Sequence, residues 1–151
     1  EVRTTKPEER IDVNGRYWLE RAGAGTRLEA RLGEGWQDEE RLLRVGVSWR
    51  WTSGDAVIEV NNPREKAQRF RLRCELRSET ERTVRVAVDD GQERERTAGK
   101  ERSVLDFGEM EISTGRHRIW MRAKAEPAPS GQADSRLLGV QVFRVEVEVL
   151  P

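Results

Sequence analysis

An antiparallel β-sandwich of jelly-roll type is the fold this sequence predicts, and three observations predict it. Apolar and charged residues alternate with period two through most of the chain after Val45. Turn-forming residues recur about every 8 to 12 positions, and no amphipathic helix of useful length interrupts them. Strands in immediate succession, with no helices to make parallel crossovers, exclude the doubly wound α/β folds.

Taken in order, residues 1–14 are polar and lack apolar periodicity, so they are expected to form an N-terminal extension or linker, leaving 15–151 as the sandwich domain. Gly15 to Glu20 and Arg27 to Leu32 are the first expected strands, and Gln37 to Arg44 is the only stretch with helical character. Val45 to Trp51 places Trp49 and Trp51 on one face and Arg50 on the other, and the two indoles are expected to fill the core. Ala56 to Val60 follows Ser53-Gly54-Asp55 and ends at Asn61-Asn62-Pro63.

The clearest alternation is Arg69-Phe70-Arg71-Leu72-Arg73-Cys74-Glu75-Leu76-Arg77, with one face apolar and the other charged. Thr83 to Asp89 repeats it and runs into Asp90-Gly91, a dipeptide expected to supply the positive φ of a two-residue hairpin turn. Ser103 to Phe107, Glu109 to Ile112 and Arg116 to Ala123 are further strands. In the last one Val140 and Val142 are even-numbered whereas Val145, Val147 and Val149 are odd, so the phase switches near Val142-Phe143, as a β-bulge would make it do. Between these lies 126–134, where two prolines and a glycine predict a long loop.

Composition removes several functions. Across 151 residues, 28 Lys and Arg balance 28 Asp and Glu, so net charge offers no attraction to nucleic acid or to an anionic membrane. No apolar run approaches the roughly 20 residues of a membrane helix. The chain starts at Glu1 without the apolar core of a signal peptide and is expected to be part of something longer. Cys74 and His117 are single, which excludes an internal disulfide, a Cys/His zinc cluster, and any Ser-His-Asp system not built on His117. Walker and dinucleotide fingerprints are absent, and the carboxylates are too numerous for a glycosidase pair to be argued from their count. His117, between Arg116 and Arg118, is expected to be structural. No catalytic residue, metal ligand or cofactor is therefore assigned.

Five of the nine aromatic residues are tryptophan, the side chain best able to stack on a sugar ring or hold a cation. Trp36 follows Gly33-Glu34-Gly35 and is expected at a loop or strand end. Trp120 alternates with Arg116, Arg118, Arg122 and Lys124, opposite Ile119, Met121 and Ala123, so its face is expected to be wet and basic. Trp36, Trp120, Arg118 and Arg122 are the candidate ligand-binding residues. Should the strands carrying Arg69 to Arg77, Arg85 and Trp120 share one sheet, that sheet would present an arginine-rich surface; the competing expectation is arginines paired with glutamates such as Glu146 and Glu148.

Four stretches, Leu32-Gly33-Glu34-Gly35-Trp36, Trp49-Arg50-Trp51-Thr52, Val60-Asn61-Asn62-Pro63 and Asp134 to Val140, occur in an order that resembles the accessory β-sandwich domains attached to bacterial glycosyltransferases and multi-spanning sugar-transferring membrane proteins. The resemblance covers about residues 30 to 150. It implies a non-catalytic jelly-roll module that recognises glycan or positions a catalytic or membrane domain of the same parent protein, on the extracytoplasmic side of the cell envelope. Two other classes stand beside it: a structural or protein-interaction domain that binds no glycan, and a small glycan hydrolase using two carboxylates. Asp134 and Arg136 are expected to pin the long loop, and Gly139 to permit a close backbone approach.

Overall fold

The computed structural model describes residues 10–12, 28–127 and 137–151, with backbone only for 10–12 and 127. Among the described residues there are thirteen strands: β1 (Arg10–Asp12), β2 (Glu29–Leu32), β3 (Glu40–Leu42), β4 (Val47–Trp51), β5 (Asp55–Asn62), β6 (Gln68–Arg77), β7 (Arg82–Val88), β8 (Arg94–Ala98), β9 (Ser103–Ile112), β10 (Gly115–Arg122), β11 (Glu126–Pro127), β12 (Leu137–Leu138) and β13 (Gln141–Val149). One sheet has the order β3-β4-β13-β6-β9, with β1 also on β13; the other has β2-β5-β10-β7-β8, and β11 and β12 form a two-stranded ladder. Every pairing is antiparallel. Setting that ladder aside, β4 to β10 and β13 are eight successive strands whose sheet orders are 1-8-3-6 and 2-7-4-5. That is the winding of a jelly roll.

The alternation dictates the core. Phe70, Leu72, Cys74 and Leu76 of β6 are fully buried, facing Ile58, Val86, Ile119 and Met121 from the opposite sheet. Each such aliphatic or aromatic side chain contributes roughly 1.5–3 kcal/mol by leaving water. Cys74 behaves as one more small apolar group: burial pushes its thiol up, out of the range where a thiolate would form.

The phase switch in β13 is a bulge. The register on β6 shifts between Val142 and Arg144, leaving Phe143 as the extra residue. A second bulge joins what the sequence suggests are two strands, 103–107 and 109–112, into the single β9. Its register shifts so that Leu72 pairs with Gly108 and Arg73 with Asp106. Gly108 takes φ +82°, its N–H donates to the Asp106 carboxylate at 2.8 Å, and Arg94 and Arg96 of β8 donate to the Phe107 and Asp106 carbonyls, each at 2.9 Å.

Several expectations are corrected. The stretch 37–44 holds β3 and no helix, because Glu40–Leu42 pairs with Val47–Trp49. The β7–β8 connection spans 89–93, and its positive φ belongs to Asp89 (49°), not to Asp90-Gly91. Of the two indoles expected in the core, Trp51 is buried but lies outside the main core cluster, and Trp49 is not buried. Trp51 pairs with Gln141, which pairs with Arg77 on the outer row, whereas Arg50 pairs with Val142 and Leu76 on the inner row. Trp51 is nonetheless buried; Trp49 is half-buried, donates to Glu40 at 2.8 Å and lies 6.2 Å from the Phe143 ring. Finally, the arginine strands do not share a sheet: β6 lies in one, β7 and β10 in the other. On the β6 side Arg73 pairs with Glu148 (2.8 Å), Glu146 (3.1 Å) and Asp106 (3.6 Å), and these carboxylates hold its guanidinium pKa above the usual value against the opposing effect of burial.

Within the stretch expected as an extension, Arg10–Asp12 pairs with Glu146–Glu148 of β13. The expected strand at Gly15 to Glu20, Trp18 and the Asp134/Arg136 pair lie outside the described residues. Gly139 makes the anticipated close approach: a Cβ there would sit 2.2 Å from the Thr52 hydroxyl, which accepts the Val140 N–H at 3.0 Å. Gly139→Ala is expected to destabilise the domain by about 1–3 kcal/mol, read as a lowered urea midpoint at unchanged slope.

Candidate functional site

The register arranges the outer face of the five-stranded sheet in rows. Glu29, Asn61 and Arg116 form the first; Arg31, Glu59 and Arg118 form the second. The third aligns Val57, Trp120 and Ala87, and the fourth Asp55, Arg122 and Arg85. Local sequence explains why the first row ends where it does. Asn61 faces out, while its neighbour Asn62 turns inward, donates to the Lys66 carbonyl at 2.8 Å and accepts the Arg64 N–H at 3.1 Å, which closes the turn at Pro63.

An open groove of about 670 Å3 runs over the first two rows. Its charged lining is mixed. Arg31 and Glu59 satisfy one another, whereas Arg116 has no ion-pair partner among the described residues and Glu29 receives only the Asn61 amide, at 3.3 Å. Arg118 lies 3.7 Å from Glu34, with both side chains more than half exposed. Among the described residues no three His, Cys, Asp or Glu side chains converge to hold a metal ion, and no helix is long and apolar enough to cross a membrane.

The fold brings Asp89 and Ser113 to His117, a meeting that the sequence does not announce. His117 Nδ1 lies 2.6 Å from Asp89 Oδ2; Nε2 lies 3.3 Å from Ser113 Oγ and 2.9 Å from the Ser113 carbonyl. Asp89 accepts from Nδ1–H, and at Nε2 the Ser113 carbonyl, which can only accept, lies nearer than the Ser113 hydroxyl. The left-handed backbone of Asp89, a conformation Asp tolerates better than most residues, aims its other oxygen at the Arg118 N–H, 2.9 Å away. The cluster therefore ties the β7–β8 connection to β10 at the edge of the groove.

Burial raises the Asp89 carboxyl pKa, but the hydrogen bonds from His117 and the Arg118 N–H, with the imidazolium charge, outweigh it and leave the group below its ordinary 3.8. A carboxyl lower in the folded than in the unfolded chain stabilises fully above that ordinary value and loses its contribution as pH falls through the folded one. Wild type is thus expected to exceed Asp89→Asn in urea midpoint at about pH 5, with the gap closing below 3.8. A gap unchanged down to pH ~2 would refute this.

Of the four residues expected to bind ligand, Trp120, Arg118 and Arg122 come together and Trp36 stands apart. Trp120 is half-buried, with the Arg118 and Arg122 guanidinium carbons 5.8 and 5.3 Å from its ring centroid. Its register neighbours Val57 and Ala87 are only 1% and 3% exposed although they lie on the outward row. Arg122 is also held by Glu93 at 3.0 Å and Asp55 at 3.4 Å. Trp36 bridges to Thr52, packs against the core, and donates its indole N–H to the Val57 carbonyl at 2.9 Å. The sequence does not single out Glu29, Arg31, Glu59 or Asn61: Asn61, expected in the turn with Asn62 and Pro63, belongs to β5, and only the alternation of Arg116 with Trp120 points to this face.

This architecture has relatives among solved structures. The chain superposes on part of the Podospora anserina GH26-CBM35 β-(1,4)-mannanase, with TM-score 0.53, 9% identity, and coverage of 82% of this chain and 28% of that one. It also matches the Bacillus thuringiensis Cry1Da tryptic core variant, with TM-score 0.51, 11% identity, and coverage of 83% and 24%. The shared feature is the fold. Carbohydrate-active proteins are among these neighbours, and the chain spans about a quarter of the length of the two compared. No protein-family model matches the sequence. No curated protein matches it either.

Proposed function

We propose that this domain is a non-catalytic accessory module of a glycan-processing protein, of the kind attached to bacterial glycosyltransferases at the cell envelope, and that it binds glycan on the outer face of its five-stranded sheet. The observation that carries the reading is the juxtaposition on that face of a half-exposed indole, Trp120, with a groove in which Arg116 and most of the Glu29 carboxylate keep their hydrogen-bonding capacity. An aromatic surface beside a few placed polar groups is what a sugar ring requires, since its apolar face stacks while its hydroxyls need both donors and acceptors. The non-catalytic part is supported by the Ser113 carbonyl, and not its hydroxyl, being the nearer partner of His117 Nε2.

A glycan-array screen of the chain, repeated with Trp120→Ala and Trp36→Ala, tests it. Wild type is expected to bind, and Trp120→Ala to lose about tenfold or more in affinity. Trp36→Ala is expected to act through stability, because its indole N–H serves the Val57 carbonyl. Binding by both variants at wild-type strength would move the site off this sheet; no binding by the wild type would defeat the glycan reading. One observation favours a second reading, a protein-interaction module: the β3–β4 hairpin exposes Leu42, Leu43 and Val45 together. A stable oligomer in solution without any response to glycan would put that reading first.

A further inference from the structure

Building on the glycan reading, we infer that the ligand is an extended neutral oligosaccharide lying along β10, contacting Trp120 with one unit and the Glu29–Asn61–Arg116 row with another. The distance between these two contacts sets the length. Trp120 and Arg116 are four residues apart on one face of one strand, which is ~14 Å at about 3.4 Å per residue. A single sugar ring cannot reach both. Arg118 stands midway on the same face, loosely paired and exposed, and is free to turn toward the intervening unit.

The polar capacity of the surface is distributed in the same way. In the second row Arg31 and Glu59 neutralise each other. In the first, the Glu29 carboxylate and the Arg116 guanidinium flank the Asn61 amide and keep their hydrogen-bonding capacity open. An acceptor, an amide and a donor in one line match a run of neighbouring hydroxyls. An acidic chain would set its own charge against Glu29, which has no cationic partner in its row other than the Arg116 guanidinium that the ligand itself would engage.

Titration calorimetry with β-1,4-linked manno-, xylo- and cello-oligosaccharides of one to six units, and with oligogalacturonides, tests the inference. Affinity is expected to rise at least ~tenfold between two and four units and then to level, with the acidic series weaker. Trp120→Ala and Arg116→Ala are each expected to cost about tenfold on the six-unit chain, with the two losses adding in the double variant, while a disaccharide responds to only one of the two. Length-independent binding, indifference to Arg116→Ala, or preference for the acidic series would overturn the inference and leave the glycan reading standing. Absence of binding in this series and on the array would overturn both.

Discussion

Arg82→Met is expected to destabilise the domain by about 3–5 kcal/mol, seen as a lowered urea midpoint and as faster amide exchange in β11 and β12. The Arg82 side chain is only 8% exposed, and its Nη1 donates to the Lys124, Leu138 and Gly139 carbonyls at 2.5, 2.7 and 3.1 Å while Nη2 meets Glu126 at 3.3 Å. Those partners lie on both sides of the segment that links β10 to β13. One guanidinium at the start of β7 thus gathers the two ends of a long connection, and methionine would leave their carbonyls without a donor while keeping the apolar stem. Losing the donor costs more than a hydrogen bond is worth in net terms, since the part-buried Leu138 and Gly139 carbonyls then lose a charged donor that water does not fully replace. Arg82→Lys is expected to recover only part of the loss, because a compact ammonium cannot fan across the same acceptors. Equal stability of the methionine variant and the wild type would mean that this clamp is not formed in solution.

Much of the architecture is visible in the sequence, and the visible part has a common physical origin. Where a strand is buried on one face and wet on the other, as in β6, period two writes the core directly: Phe70, Leu72, Cys74 and Leu76. A bulge is equally visible when it flips the phase between valines, as at Phe143 in β13. It is less visible in β9, where Gly108 resembles a strand end and only the paired register of β6 shows one continuous strand. Alternation also fails to say which face is inward when both carry large side chains. Trp49 and Trp51 outrank Arg50 in apolar area, yet the register of β13 turns Arg50 toward the inner row. The face of β10 that carries Trp120 and its arginines was readable from one strand alone. The groove was not, because Glu29, Asn61 and Arg116 come from three separate strands and acquire meaning only through pairing. The same holds for Asp89, Ser113 and His117, which no motif spacing connects.

The other large effect is expected at Gly35, where alanine should cost about 3 kcal/mol or more, against roughly 1 kcal/mol for alanine at Gly46 or Gly54. All three glycines have positive φ, at 87°, 67° and 114°. They differ in what a Cβ would meet. At Gly46 and Gly54 it would find open space, whereas at Gly35 it would sit 1.9 Å from the Asp55 carbonyl oxygen and 2.7 Å from the Ala56 Cα. Backbone cannot swing aside as a side-chain tip can, so β5 or the 33–37 segment must shift. That segment is laced into both sheets: Gly33 N–H and Val57 N–H bond to Val57 and Glu34 carbonyls, Ser53 N–H to the Gly35 carbonyl, and Gln37 N–H to the Trp51 carbonyl, all within 2.8–2.9 Å. A shift at Asp55 and Ala56 would pass to Val57, which is the cross-strand partner of Trp120 and accepts the Trp36 indole N–H. Gly35→Ala should therefore weaken both folding and the stacking face, while the two control variants lose only a little stability. Urea titration of the three variants reads the first effect, and glycan affinity of whatever folds at Gly35→Ala reads the second. Equal midpoints for all three would mean that Gly35 has room the close approach to Asp55 denies it, and the path from this turn to Trp120 would have to be abandoned.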